Sequence, residues 1–449
     1  MSFTELKAVC ALTLVFVFRM LGLFMVLPVL ALFVDDIPGA SPVTIGLAIG
    51  AYGFTQAILQ IPFGWLSDRY GRKPVILMGL VIFLAGSLLA AQAESIGWII
   101  AGRILQGTGA IAGAVMALLA DLIRDQHRTK AMAMVGMGIG LAFGVAMVAG
   151  PAVSGWWGLR GLFLSNAVMA IAAMLVLWLL VPTPVSSRRD LNCSVNRADT
   201  QGVFHNPHLL RHIVGIFSLH FVLMALFVFL PSLIEDVVGL SGNRHGLLYL
   251  MVVGGSFVAI VPLIVYSEKK QQLKSCYSLA VFVLILAFII MLLGQKSVVW
   301  LITGLFLFFL GFNFLEAALP SLVSKLSPAG TRGTSMGMYS TSQFLGAALG
   351  GSFGGLAMQH WSVSGVLILC TIPTALWCWL SVTMLPPPYV SSMVIALKPS
   401  PEDAGAVRDR LAVIPGVKEV TVLASEGTAY LKVDKHRLDW SALKGFGEY

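Results

Sequence analysis

The stretch GWLSDRYGRK, Gly64 to Lys73, decides how the rest of the chain is read. It separates two apolar runs, 42–66 and 74–93, each long enough to cross the roughly 30 Å hydrocarbon core as a helix. The residues between them are therefore expected to form a tight loop at a membrane face, with Gly64 and Gly71 permitting close approach and a sharp turn. Arg69, Arg72 and Lys73 mark that face as cytoplasmic, because basic residues accumulate on the inner side of a membrane. Asp68 runs against this bias, which points to a specific role.

Working outward, apolar residues make up 57% of the 449 residues and charged ones 11%, which excludes an ordinary soluble domain. Apolar runs of helical crossing length lie near 8–34, 42–66, 74–93, 96–120, 131–153 and 161–182. Six more lie near 211–233, 243–266, 276–294, 298–324, 334–357 and 363–385. The expected fold is an all-α membrane protein with twelve transmembrane helices, and the first run reads as a retained helix rather than a leader. Alternate loops are basic: after Lys73 come Arg124, Arg128 and Lys130, then Arg188, Arg189 and Arg197, then Lys269, Lys270 and Lys274, then Lys325 and Arg332. The opposite loops carry Asp35, Asp36, Glu94, Glu235 and Asp236. Both termini are accordingly expected in the cytoplasm.

The net charge of +8 sits wholly in the apolar part, because eight bases meet eight acids after Pro388. Nucleic acid is therefore not expected as a partner. Cys10, Cys193, Cys276, Cys370 and Cys378 are scattered without CxxC spacing, so neither a disulfide framework nor a metal site follows.

An internal repeat divides the runs. At an offset of 200, Ser41, Gly46, Leu47, Pro62 and Ser67 meet Ser241, Gly246, Leu247, Pro262 and Ser267, while Asp68 meets Glu268. Such spacing implies two homologous six-helix bundles, 1–182 and 211–385, joined by a cytoplasmic linker at 183–210. After the prolines at 386–388 the composition turns soluble. Alternating apolar residues and turn signals over 390–449 give a β-α-β-β-α order. This is a small α+β ferredoxin-like domain expected to lack its final strand. It resembles heavy-metal-associated domains in order and length but holds no cysteine, so thiolate capture of a metal is not expected and a regulatory or interaction role is preferred.

The 64–73 stretch resembles the G-x-L-x-D-R-x-G-R-K/R signature between the second and third spans of the major facilitator superfamily. In the fourth run, Arg103-Ile-Leu-Gln106-Gly107-Thr-Gly109-Ala110 is similar to that family's R-x-x-Q-G-x-G-A. Ala146 to Gly155, carrying Gly150 and Pro151 and preceded by Gly144, resembles the G-x-x-x-G-P-x-x-G-G signature of its proton antiporters, with Ala146 and Ser154 replacing two glycines. Leu21-Gly22 followed by Leu27-Pro28 resembles a stretch in its drug exporters. The resemblance implies alternating access. It further implies a conformational latch of Gly64, Asp68, Arg69, Gly71, Arg72, Lys73 and Asp121, in which Asp68 meets the start of the eleventh helix near Arg332 and Gly333 when the cytoplasmic side is closed. Arg103 would take part in proton coupling.

The remaining candidates come from depth. At 1.5 Å per residue, Arg103 lies about 10 Å, Arg19 about 16 Å and His220 about 14 Å into their runs. A guanidinium at such depth costs ~3 kcal/mol or more unless it finds partners. His220 is either a proton-handling group or a hydrogen-bonded structural one. Glu316 is the acid well inside an apolar run; opposite Ala114 by the repeat, it is expected to face the central cavity and exchange a proton. Gln56, Asn166, Asn313 and Gln343 are candidate polar contacts there. The expected protein is a monomeric, proton-driven exporter of lipophilic small molecules in a bacterial-type inner membrane. It would use no catalytic residues and no cofactor beyond the coupling proton. A facilitator without proton coupling and a nutrient sensor signalling through the C-terminal domain are the rivals.

Overall fold

The computed structural model describes residues 1–183, 205–327, 332–386, 391–397, 404–423, 427–434, 437–444 and 446–448. Most of the expected linker, with Arg188, Arg189 and Arg197, lies outside them.

Ten helices among the described residues are long and apolar enough to cross a membrane. Two of them, Lys130–Leu180 and Gly333–Val382, are each broken by one non-helical residue, Gly158 (φ 66°) and Ser362 (φ 58°). Each therefore supplies two crossings, which makes twelve spans. In chain order they are Phe3–Phe24, Pro42–Tyr70, Arg72–Ala91, Ile96–Thr108 continued by Ala112–Leu122, 125–157, 159–180, Pro207–Phe227 continued by Leu230–Val238, Gly242–Lys269, Leu273–Leu293, Val298–Leu326, 332–361 and 363–382. Spans one to six form the N half and seven to twelve the C half. Helix starts are written in the local chemistry: Ser2 with Glu5 and Ser41 with Thr44 form reciprocal capping boxes. Asn206 caps span seven, with Pro207 at its first turn.

Several boundaries differ from the sequence expectation. The loop at 64–73 is in fact helix, since span two runs to Tyr70 and span three begins at Arg72. Only Gly71, at φ 95°, turns the chain, a conformation that a side chain disfavours. Gly64 makes no turn; it is helical, and a Cβ there would meet nothing within 4 Å. Its polar neighbours stay helical because a helix needs no apolar residues beyond the hydrocarbon. Span one ends at Phe24, short of the expected 34. Pro28 lacks an N–H and its ring collides with the carbonyl four residues back, which is that of Phe24. Span seven repeats this, ending at Phe227, four residues before Pro231. Span four is interrupted at Gly109 to Ile111, and Leu250–Gly254 of span eight is a π-turn.

The C-terminal segment forms a four-stranded sheet in the order β2-β3-β1-β4, from Ser391–Leu397 (β1), Val417–Leu423 (β2), Thr428–Val433 (β3) and Gly447–Glu448 (β4). The final strand expected to be lacking is therefore present as two residues, with Ala396 paired to Glu448 and Leu397 to Gly447. Helices Ala404–Ala412 and Trp440–Lys444 accompany it, and Ile395, Leu397, Leu411, Ala429, Leu431, Val433 and Leu443 form its core. Asp439 accepts hydrogen bonds from the Ser441 hydroxyl and the amides of Ser441 and Ala442, which hold its carboxyl below the usual value.

The halves meet along a seam of glycines toward the acidic-loop face. On span two, Gly46 lies against Gly351 and Gly355 of span eleven, Gly50 against Ala348, and Gly53 against Phe344, where a Cβ would come 2.7 Å from the carbonyl oxygen. Gly346, Gly350 and Gly354 turn another side of span eleven toward Phe217, Phe221 and Ala225 of span seven. With no side chains between them, the backbones approach to van der Waals contact, the attraction available where lipid removes the hydrophobic drive. Gly155 against Asn243 and Gly246 against Val148 close the same face between spans five and eight.

Candidate functional site

At the basic-loop face, Arg72 is buried between two acids. It pairs with Asp68 one turn earlier and through Nε with Asp121 at 3.2 Å, while Nη1 donates to the Ser67 hydroxyl at 2.8 Å. The Asp121 side chain is 3% exposed, so its charge needs a partner, and the arginine supplies one. Lys73 donates to the carbonyl oxygen of Val181 at 2.6 Å, capping the C-terminal end of span six. Arg69 is not in this cluster; it lies over the rings of Trp65 and Tyr70. The structure thus joins Asp68, Arg72 and Asp121 within the N half. Among the described residues, the bonds of Asp68 run to Arg72. The expected contact of Asp68 with the start of span eleven is not among these bonds, and the halves meet instead at the acidic-loop face.

Nearby, Glu5 binds the backbone and guanidinium of Arg124 at 3.0 to 3.2 Å. Arg124, outside the spans, consequently holds its proton more firmly than a free arginine.

Deeper in the N half, Arg19 and Arg103 are 3% and 0% exposed. Arg19 donates to the carbonyl oxygens of Gln106 (3.3 Å) and Gly109 (2.6 Å) and to the Gln56 side chain (3.0 Å). Those carbonyls lie at the break in span four, where a helix end leaves acceptors unpaired and presents partial negative charge. The break therefore explains how a cation rests at this depth with no carboxylate on it. Arg103 donates to the Ala48 carbonyl (3.2 Å) and to Gln106 Oε1 (2.9 Å), and Gln106 in turn donates to Ser87 (2.8 Å). Tyr52 lies beneath both guanidiniums, 5.4 Å from that of Arg19 and 4.8 Å from that of Arg103. No sequence signal singled Tyr52 out, since Arg19 and Arg103 come from two other helices.

In the C half, Glu316, Gln343 and His220 come together from spans ten, eleven and seven. Gln343 lies 2.8 Å from His220 Nε2 and 3.5 Å from Glu316 Oε1, and His220 Nε2 lies 3.9 Å from Glu316 Oε2. The Glu316 side chain remains 32% exposed. Phe312, one turn before Glu316, packs on the His220 ring at 6.1 Å. The arrangement can hold one proton on the Glu316 carboxyl or on the His220 imidazole, with the Gln343 amide nitrogen next to both.

The other candidates sit between helices. Asn166 ties span six to span one through the Gly22 carbonyl (3.0 Å), and Asn313 ties span ten to the Ser256 hydroxyl of span eight (2.9 Å). Both are buried packing contacts, in contrast to the expected cavity positions, because each faces a neighbouring helix. Gln56 serves Arg19. In span five, Gly150 sits on the span-one turn, a Cβ there meeting Pro28 at 3.2 Å, and Gly144 faces Phe257. Pro151 accepts from the Ser154 hydroxyl at 3.1 Å. Among the described residues no group of acids, histidines or cysteines could hold a metal.

Twelve spans in two six-helix halves define a multi-pass transporter fold rather than an enzyme. The chain belongs to the Major Facilitator Superfamily, whose model matches residues 12–351 and 274–401. It is 45% identical over 433 residues to the inner membrane transport protein YajR of Escherichia coli (strain K12), covering 96% of this chain and 94% of that protein. Over 351 residues it is 27% identical to multidrug resistance protein 2 of Bacillus subtilis (strain 168), covering 75% and 85%. A solved bacterial homolog of the human lysosomal transporter Spinster, inward-facing and occupied, shares the fold with a TM-score of 0.69 over 86% of this chain and 98% of that one, at 15% identity.

Proposed function

We propose that the protein is a proton-driven exporter of lipophilic small molecules, residing in the inner membrane with both termini in the cytoplasm and working by alternating access. The observation that carries this is the Glu316–Gln343–His220 cluster: an acid at membrane depth whose carboxyl lies 3.5 Å from the Gln343 amide nitrogen and 3.9 Å from the His220 ring. A buried carboxylate is costly and a carboxylic acid is not. Its protonation therefore gives the two conformations different free energies, which is what a ligand needs to shift an equilibrium. Arg19 and Arg103 act alongside it as fixed charges on the N side of the cavity. The kinship with a multidrug resistance protein and with an inner membrane transport protein agrees with export.

In this reading the Asp68–Arg72–Asp121 network is the N-half part of a latch that the start of span eleven completes when the cytoplasmic side closes. The antiporter signature at Gly144, Gly150, Pro151 and Gly155 keeps the opposite face tight, and the C-terminal domain regulates or recruits.

Proteoliposomes with an imposed proton gradient test the reading. Substrate flux should collapse when the gradient is dissipated, and Glu316→Gln should abolish the coupling. Flux indifferent to the gradient leaves a facilitator in its place.

A further inference from the structure

We infer that His245 is a pH-sensitive pin of the acidic-loop face: neutral, it keeps the two halves closed there, and charged, it lets them part. The inference depends neither on Glu316 nor on the nature of the substrate.

The ring sits where the halves meet. His245 follows the turn Gly242–Arg244 at the start of span eight. That turn is wedged against the N half, since a Cβ at Gly242 would come 2.8 Å from the Leu32 side chain and a Cβ at Gly155 of span five 2.6 Å from Asn243. Just after His245, a Cβ at Gly246 would stand 3.0 Å from the Val148 carbonyl oxygen of span five. Contacts to the other half therefore flank His245 on both sides along the chain, and its side chain is 0% exposed.

Hydrogen bonding sets the charge of the ring. Nε2 lies 3.0 Å from the carbonyl oxygen of Leu240. A carbonyl only accepts, so Nε2 carries the hydrogen and Nδ1 the lone pair. Nδ1 is buried and has no hydrogen-bond partner. A second proton would have to go there, away from water and without an acceptor, and an unpaired buried charge is disfavoured.

No neighbour offsets such a charge within the seam. Span five has no ionisable side chain over 131–159, nor has Leu30–Phe33 beyond span one, and Asp35 and Asp36 after it are exposed. On the same helix, Tyr249 stands edge-on to the ring at 6.3 Å, and its hydroxyl is likewise without a hydrogen-bond partner. Arg244 is exposed and positive. Glu235 of span seven is the acid that acts on the ring. It is exposed, so water screens it, and it draws a charged ring outward rather than holding it in place.

Parting the halves brings the ring to water, where an imidazole takes a proton near pH 6.5. Closure is thus retained above that pH and weakened below it. If the closed form binds no proton, the open-to-closed ratio grows about tenfold between about pH 8 and about pH 5.5. His360, the other histidine described at this face, is exposed and can be charged whether the face is open or closed.

Spin labels at Arg160→Cys and Ser241→Cys test this, in full-length protein held in lipid nanodiscs with its native cysteines replaced by alanine. The long-distance population should rise about tenfold over that pH interval. His245→Gln, whose amide can donate to Leu240 but cannot take a charge, should remove the rise, and Glu316→Gln should keep it. A distance distribution indifferent to pH overturns the inference. So does a wild-type response in His245→Gln, or loss of the response in Glu316→Gln. Should His245→Gln fail to remain monodisperse, Glu316→Gln decides alone by keeping or losing the response. Neither substrate nor gradient enters this measurement, so it stands or falls separately from flux coupling in vesicles.

Discussion

Arg19 donates to the carbonyl oxygen of Gly109 at 2.6 Å, at the point where span four stops being a helix. The cation and the helix break therefore account for each other: one needs acceptors at membrane depth and the other has acceptors to spare. Arg19→Met should leave the carbonyls of Gln106 and Gly109 unpaired and destabilise the protein by about 2–4 kcal/mol. Arg19→Lys, which keeps the charge but loses the planar fork, should lose less. Thermal unfolding in detergent checks this, and equal stability of Met variant and wild type would show that the bonds contribute nothing to the fold.

Arg72 stands between Asp68 and Asp121. Removing it takes the paired guanidinium from a nearly inaccessible carboxylate at Asp121, and breaking a buried pair from one side costs roughly 3–5 kcal/mol. Arg72→Ala should therefore unfold at a markedly lower temperature. Asp121→Asn in the same background should recover part of the loss, and a double-mutant cycle measures the coupling.

The glycine seam sets the resting state. Gly53→Val would push a side chain into Phe344 and Ala348, and overpacking of this kind costs about 1–3 kcal/mol. The population open at the acidic-loop face should rise roughly five- to hundredfold. Spin-label distances between the ends of spans two and eleven report the change, and an unaltered distance distribution removes the seam as the gate.

Gly158 and Ser362 make the same turn in the two halves, at φ 66° and 58°. A serine there is strained and a glycine is not. Ser362→Gly should stabilise the C half by about 1 kcal/mol, and Gly158→Ala should destabilise the N half by a similar amount. Denaturation midpoints decide.

Asp439 caps the last helix, and its carboxyl lies below its ordinary value near 3.8 because Ser441 and Ala442 donate to the ionised form. A depressed value stabilises the fold above the unfolded value, and that contribution is lost as pH falls through the lower, folded one. Amide protection over 440–444, taken relative to the intrinsic exchange rate at each pH, should fall on acidification below about pH 4, and Asp439→Ala should flatten that dependence.

What the chain alone determined was local in origin. Twelve apolar runs, the alternation of basic and acidic loops and the repeat with its 64–73 signature follow from run length, charge and identity, none of which needs a partner. The ends of spans one and seven were not legible: runs expected to reach 34 and 233 stop at Phe24 and Phe227, before Pro28 and Pro231, whereas Pro62, Pro262 and Pro320 lie inside continuous helices, so a proline alone does not say where a helix stops. Only the tertiary structure decided what Arg19 binds, because its acceptors exist once span four breaks some 90 residues away. The same holds for Tyr52 beneath two arginines and for Asn166 packing on span one. It also chose the face on which the halves close, because glycines at helical spacing state that a backbone can come near but not whose backbone it will be.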